Sequence, residues 1–404
     1  MSRILLFLAL ILWSAAPLRA QDTGALARYQ GGGFDEAFWG GETRLSLELS
    51  QGVPWRVFTL SDPARLVLDF KEVDWSGADA LTMDDSEAIL SMRMGPFRPG
   101  WSRLVAELAG PMKVDTASLE IEPHTSTALL HLILVETDQT EFEALSGMPF
   151  DPNWQITKTV VQRAAPKEPG GPKTILLDPG HGGIDPGAQR GGLDEADIVL
   201  QFAYELQEVL RRTGDYNVAM TRSEDIFVSL EARVAMAHEV GADLFVSLHA
   251  DALEQGVAHG ATVYTLAAEA SDAASAALAE RHNRSDLLSG VDLSGSDDRV
   301  AQVLLDLARL DNTPRSKSLA THLVGGIKNA LGHMHKKPQR EASFSVLKSA
   351  DIPSVLIELG FLSTPQDRKN LQDPVWRAGM AAGIRDGIEA WAREDEALSR
   401  LRRQ

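Results

Sequence analysis

The hydrophobic pattern of this 404-residue chain changes character once, across a short segment with no periodicity, and that change limits its fold more than any other feature. Between residues 43 and 135, apolar and polar residues alternate in the short runs TRLSLELS, WRVFTLS, RLVLDFKEV, SRLVAELA and ALLHLILVE. Alternation of this kind places every second side chain on one face of an extended strand. Gly52, Pro54, Asp62, Pro63, Gly110 and Pro111 supply the turns between runs. A small all-β domain over about residues 40–150 is therefore expected. Residues 164–173, AAPKEPGGPK, close an unpatterned stretch (151–173) that reads as a linker.

Past the linker, strand-like and helical periods interleave. TILLDPG, YNVAMTR and DLFVSLHAD read as strands, and the stretch from Glu195 carries Val199, Phe202, Leu206, Val209 and Leu210 on one helical face. SLEARVAMAHEVG reads as a helix capped by Ser229. ATVYTL and SVLIELGF add strands, and an amphipathic helix over 374–391 ends the pattern. Interleaving of this sort predicts an α/β domain over 174–396, a mostly parallel sheet flanked by helices. One interval, about 267–335, is too long for an ordinary crossover. It holds three helical segments near 267–288, 298–310 and 316–331, and an insertion of that size is expected to have a function.

Composition narrows the chemistry. The chain has no cysteine, so thiolate metal sites, disulfides and cysteine nucleophiles are all excluded. Any transition metal must be held by histidines and carboxylates. A formal net charge of -18 argues against general affinity for nucleic acid or anionic lipid. Residues 1–20 have Arg3, an apolar run from Ile4 to Trp13 and small residues before Gln21, the layout of a secretory signal peptide. The run is short for a membrane span. An uncleaved anchor is the alternative, because Leu18 stands where a small residue is preferred. Export, cleavage after Ala20 and a soluble periplasmic product without stable membrane insertion are the expectation.

Three polar residues end up at the carboxyl ends of expected strands, where loops of a parallel sheet converge on one crevice. His181 follows TILLDPG in a glycine-rich turn, His249 ends DLFVSLH, and Glu358 lies inside VLIELGF. Either histidine alone could be a structural loop or core residue. Glu358 is more telling, since an ionised carboxylate in an apolar run costs several kcal/mol to bury without a partner. A catalytic zinc ion takes about three protein ligands and leaves one position open. By position, Asp194 and Glu195 both qualify as the missing carboxylate, although acidic residues also favour a first helical turn for the helix dipole alone.

The segments LDPGHGGIDPGA, GLDEADIVLQFA, TRSEDIFVSLEARVAMAHEVGADLFVSLHADA and VLKSADIPSVLIELGFLS, in that order, resemble the successive motifs of zinc-dependent N-acetylmuramoyl-L-alanine amidases of the bacterial cell-division type. The resemblance implies a metal on His181, Glu195 and His249, with Glu358 as the catalytic carboxylate. Ala196 departs from the pattern, where relatives commonly carry a lysine that is not a ligand. The stretch around DPARLVLD resembles the AMIN domain, a β module that accompanies such amidases and is thought to localise them on the cell wall. The implied reaction is hydrolysis of the amide between N-acetylmuramic acid and the first L-alanine of the peptidoglycan stem, in cell separation after division. The resemblance further implies that the insertion is an inhibitory lid, with His282 or Glu280 of LAERHNRSDLLSGVDL approaching the metal and Asp251 completing the resting shell. Release would then need an exported activator of the LytM type. Two rival readings use the same residues: another zinc-dependent wall peptidase such as a carboxypeptidase, or a wall-binding protein without activity.

Overall fold

A computed structural model describes residues 27–36, 42–71, 73–98, 100–122, 125–148, 171–252, 259–289, 299–349 and 351–402. The expected signal peptide (1–20), all but the end of the linker and a piece of the insertion (290–298) lie outside the described residues.

The amino-terminal half is a β sandwich of two sheets. Its strands are β1 (Ala27–Glu36), β2 (Glu42–Leu49), β3 (Trp55–Leu60), β4 (Arg65–Lys71), β5 (Val73–Asp74), β6 (Asp84–Asp85), β7 (Ile89–Arg98), β8 (Trp101–Leu108), β9 (Met112–Ile121) and β10 (Ala128–Glu136). One sheet runs β5-β1-β2-β10-β9 with β6 beside β1, the other β3-β4-β8-β7. Alternation gives the core directly: Leu45, Leu47 and Leu49 of β2 with Leu130, Leu132 and Leu134 of β10 pack on Leu66, Leu68 and Phe70 of β4 and on Leu104 and Ala106 of β8. Strands β1, β6, β7 and β9 are additions to the expected set. They carry glycine, proline or many polar residues, and pairing to a neighbour rather than their own pattern makes them strands. Helix α1 (Gln139–Leu145), capped by the Asp138 carboxylate accepting from the Glu141 N–H at 2.9 Å, drops Phe142 into the same core.

The second sheet is buried on both faces. Its far face carries Phe58, Val67, Phe97 and Val105, which cluster with Ile184 and Phe227 of the carboxyl-terminal half. Asp69 and Arg103, paired across β4 and β8 and each with a fully buried side chain, also lie there. The Asp69 carboxylate accepts from Arg56 Nε and Arg103 Nη2, both at 2.8 Å, and the Arg103 guanidinium sits 4.1 Å from the centre of the Phe97 ring.

The carboxyl-terminal half is the expected α/β domain. Its elements are β11 (Lys173–Pro179), β12 (Gln189–Arg190), β13 (Leu193–Asp194), α2 (Glu195–Arg211), β14 (Tyr216–Met220), α3 (Leu230–Glu239), β15 (Leu244–His249), β16 (Thr262–Leu266), α4 (Ala273–Ser289), α5 (Arg299–Leu331), β17 (Gln339–Ala342), β18 (Ser354–Glu358), α6 (Pro365–Gln372) and α7 (Pro374–Arg402). The main sheet runs β14-β11-β15-β18-β16-β17, parallel except where β16 meets β18. Phe202 and Leu206 of α2, Leu319 and Leu323 of α5 and Ile388 and Trp391 of α7 cover one face. Ala237 of α3, Leu278 of α4 and Phe344 cover the other. Ser229 caps α3 as expected, accepting from the Ala232 N–H at 3.2 Å.

The insertion departs from expectation in one respect. The two later segments, expected as separate helices at 298–310 and 316–331, form the single helix α5, which runs through Pro314. Proline removes one backbone donor and crowds the preceding turn, so it ordinarily ends a helix. Here tertiary bonds flank it: Arg315 binds Asp395 of α7 at 2.7 and 2.8 Å, Trp391 Nε1 donates to the Arg315 carbonyl at 3.2 Å, and Asn312 Nδ2 donates to the Ile352 carbonyl at 2.7 Å.

The buried Asp69 carboxylate is the anion that makes Arg103 tolerable in the sandwich. Asp69→Ala leaves that guanidinium buried without its partner, and the expected loss of stability is about 3–5 kcal/mol, read as a lower midpoint in urea unfolding followed by tryptophan fluorescence.

Candidate metal centre

Three parallel strands deliver the site. β11 runs into the loop with His181, β15 ends on His249, and β18 ends on Glu358, which is in register with His249. The first residue of α2 is Glu195, fully buried. Its Oε1 accepts from the Ala250 N–H at 2.9 Å and lies 3.0 Å from His249 Nδ1 and 3.3 Å from His181 Nε2. Its Oε2 accepts from the Ala188 N–H at 2.9 Å. The structure thus brings the side chains of His181 and His249 to one oxygen of Glu195, and of the two acidic candidates Glu195, not Asp194, lies in this group. Asp194 points instead to Gln189 and to Arg93 of β7.

Two glycines make room for this cluster. A side chain at Gly180 would begin 2.1 Å from the His249 ring, and one at Gly187 would begin 2.7 Å from His181 and 2.8 Å from Glu195. His181 itself has a φ of 58°, a left-handed conformation uncommon for residues other than glycine. Two buried arginines hold that backbone. Arg233 donates to the carbonyls of Pro179 and His181 at 2.9 and 2.8 Å and to Asp178 at 2.6 Å. Arg222 donates to the carbonyls of Pro179, Gly180 and Ala196 at 2.8–2.9 Å.

Glu358 is fully buried, and its Oε2 accepts from the Asp251 N–H at 3.0 Å. Helix α4 arrives from the opposite side. His282 is 6% exposed and places Nε2 3.6 Å from Glu358 Oε1 and 3.8 Å from Asp251 Oδ2. Its neighbours fasten the helix: Arg281 Nη1 donates to both Asp251 oxygens at 2.9 and 3.0 Å and to the Ala252 carbonyl at 2.7 Å. Asn283 donates to the Ser343 carbonyl and accepts from the Ser345 N–H. Of the two lid residues considered, His282 enters the site, whereas Glu280 is exposed on the wall of the adjoining cleft. Residues two apart on a helix point in nearly opposite directions, so one excludes the other. Asp251 lies beside the cluster with its carboxylate engaged by Arg281.

The group has the properties of a cation site. Ring nitrogens of His181, His249 and His282 lie within 4.8 Å of one another. His181 Nε2, His282 Nε2 and Glu358 Oε1 are buried and make no hydrogen bond. An unsatisfied buried polar atom costs about 1–3 kcal/mol, so their convergence fits a divalent cation with nitrogen and oxygen ligands. Burial alone would strip the proton from His181, but the Asp185 and Glu195 carboxylates outweigh it and hold its pKa well above the ordinary value. Burial also opposes charge on Glu195, and the two histidines outweigh it and hold that carboxyl well below its usual range. Burial, then the proximity of His282, pushes His249 down to about 4. Burial, then Glu195 and Asp251, pushes Glu358 well above the carboxylate range. A cation nearby would draw Glu358 down again.

The site opens into a cleft of about 540 Å³ between the two halves of the molecule. Arg65, Arg93 and Glu107 of the sandwich line one side, and Arg190, Glu280 and Arg281 the other.

Sequence reasoning missed Asp185. His181 Nδ1 lies 2.8 Å from Asp185 Oδ2, a contact that orients the ring with Nε2 toward the cluster. The one available signal was the four-residue spacing in HGGID. Asp185→Ala is expected to weaken zinc binding 10–100-fold, measured as metal retained after dialysis against graded chelator.

A family model described as N-acetylmuramoyl-L-alanine amidase matches residues 175–390, and an AMIN domain model matches 37–127. The chain is 34% identical to N-acetylmuramoyl-L-alanine amidase AmiC of Escherichia coli O6:H1 (strain CFT073), covering 89% of this chain and 88% of that one. It is 33% identical to AmiC of Neisseria meningitidis serogroup B (strain MC58), covering 86% of each. A crystal structure of N-acetylmuramoyl-L-alanine amidase from Clostridium difficile 630 aligns with 55% of this chain and 98% of its own, at 25% identity and a TM-score of 0.42. The chain belongs to the N-acetylmuramoyl-L-alanine amidase family, with an AMIN domain ahead of its catalytic domain.

Proposed function

We propose that the chain is a periplasmic, zinc-dependent peptidoglycan amidase of cell separation, held shut at rest by helix α4. His181, Glu195 and His249 hold the metal, and Glu358 is the catalytic carboxylate. The observation that carries this reading is the meeting of those three side chains at one carboxylate oxygen, with Glu358 in register beside His249. Export is the reading of residues 1–20, and among the described residues no helix is long and apolar enough to cross a membrane.

When bound, zinc supplies acidification of a water and polarisation of the amide carbonyl. The protein's own residues do the rest. Glu358 takes the proton of the attacking water and delivers it to the departing alanine nitrogen, so the same carboxyl serves as base and then acid. The Asp251 N–H fixes one oxygen of Glu358 and leaves the other, Oε1, facing the cluster. Asp185 orients His181, and Ala250 and Ala188 orient Glu195.

The position of His282 supports the resting state. It occupies the space between Glu358 and the two ligand histidines, its ring centre 4.2 Å from that of His249. Substrate reaches the centre only after α4 withdraws, which requires breaking the Arg281 and Asn283 bonds. An exported activator of the LytM type would act on this helix.

Glu358→Gln is expected to keep zinc and bind sacculi while losing 10²–10⁴-fold in turnover. The assay is identification of fragments released from purified sacculi: intact stems with alanine at the amino terminus report the amidase, and trimming at the far end would report a carboxypeptidase instead. Near-parental turnover by Glu358→Gln would remove that residue from the mechanism. Deleting residues 268–290 should raise basal release several-fold; unchanged or lower release by the folded deletion variant would rule out an inhibitory lid.

A further inference from the structure

We propose that Arg93 of the β sandwich is a positioning residue of the metal centre, so that the amino-terminal domain helps to build the site it precedes. This rests on the assignment of His181 and Glu195 as ligands. Those two ligands stand on different segments: His181 on the glycine-rich loop after β11, Glu195 at the start of α2. Arg93 touches both segments. Its Nη1 donates to the carbonyl of Gly183, two residues after His181, at 3.0 Å, and its Nη2 pairs with the carboxylate of Asp194, the residue before Glu195.

The guanidinium suits this task because its planar fork presents two donors in fixed relation, one for a carbonyl and one for a carboxylate. Arg93 can reach because it lies on the outer face of β7, in register with Val105. Around it the sandwich is seated on the catalytic domain by a buried cluster in which Phe58, Phe97 and Val105 meet Ile184 and Phe227. Ile184 is itself part of the loop between His181 and Asp185. The bridge therefore starts from a fixed surface. From the other side, Gln189 Nε2 donates to Asp194 Oδ1 at 2.8 Å, so the Asp194 carboxylate links the β12–β13 hairpin to the sandwich. Arg222 and Arg233 grip the His181 loop from inside the catalytic domain, and Arg93 grips it from outside.

The experiment uses the full mature chain and reads the zinc dissociation constant by competition with a chromogenic chelator. Loss of a group bonded directly to a ligand typically weakens metal binding 10–100-fold, and Arg93 acts one bond further out, so the low end, about tenfold, applies. Arg93→Ala is expected to lose about tenfold, and Arg93→Lys, which keeps the charge but not the fork, to lie between it and the parent. Asp194→Asn combined with Arg93→Ala should lose no more than the larger single loss, because both remove one bridge. Parental zinc affinity in Arg93→Ala, or single losses that simply add, would overturn the inference. Sacculus cleavage by the parent is followed in parallel. A parent that binds zinc and cleaves while Arg93→Ala binds equally well refutes only the positioning role. A parent that binds no zinc refutes the metal centre and this inference with it.

Discussion

A carboxylate with no access to water has to be matched by whatever surrounds it, and the architecture of the catalytic domain can be read as the answer to that demand at Glu195. Its Oε1 receives one backbone N–H and faces two imidazoles that come from separate strands. This arrangement works only if β11 and β15 are parallel and adjacent, so that both end at the same level. It also needs a loop after β11 tight enough to turn His181 back, which the glycines and the two buried arginines provide. Burial raises the proton affinity of Glu358, and the Glu195 and Asp251 carboxylates beside it raise it further. One desolvated group thus sets the electrostatics of the others.

The seating of helix α4 follows a related logic. Arg281, His282 and Asn283 are consecutive, and consecutive residues on a helix point about 100° apart. Helix α4 is consequently held on three sides by different partners: the Asp251 carboxylate, the histidine cluster and the backbone near Ser343. Asp251 ties the site to helix α4, since its N–H binds Glu358 while its side chain binds Arg281.

The parts of the molecule legible in the sequence were those where a local pattern and the final environment agree. Alternation in β2 and β10 marks strands with one buried face, and the strand-end positions of His181, His249 and Glu358 follow from topology alone. What was not legible depends on distant partners. Strand β1, with three glycines in a row, is a strand because β2 lies beside it. Helix α5 passes Pro314 because α7 and Ile352 hold it. Asp185 acquires its role only when the glycine-rich turn folds back. RLVLDFK of β4 carried a hint, since Val67 and Asp69 are buried on the face opposite Leu66, Leu68 and Phe70. A strand of a free-standing sandwich has no need to hide that second face.

That second face has a geometric corollary. The side of β3-β4-β8-β7 turned toward the catalytic domain is already committed to Ile184, Phe227 and the loop near His181. That leaves the opposite sheet, the strand edges and the rim of the cleft as the surfaces of the sandwich that the catalytic domain does not cover. Because the sandwich and the catalytic domain share that buried wall, Arg65, Arg93 and Glu107 on the rim of the cleft stand at a set spacing from the histidine cluster.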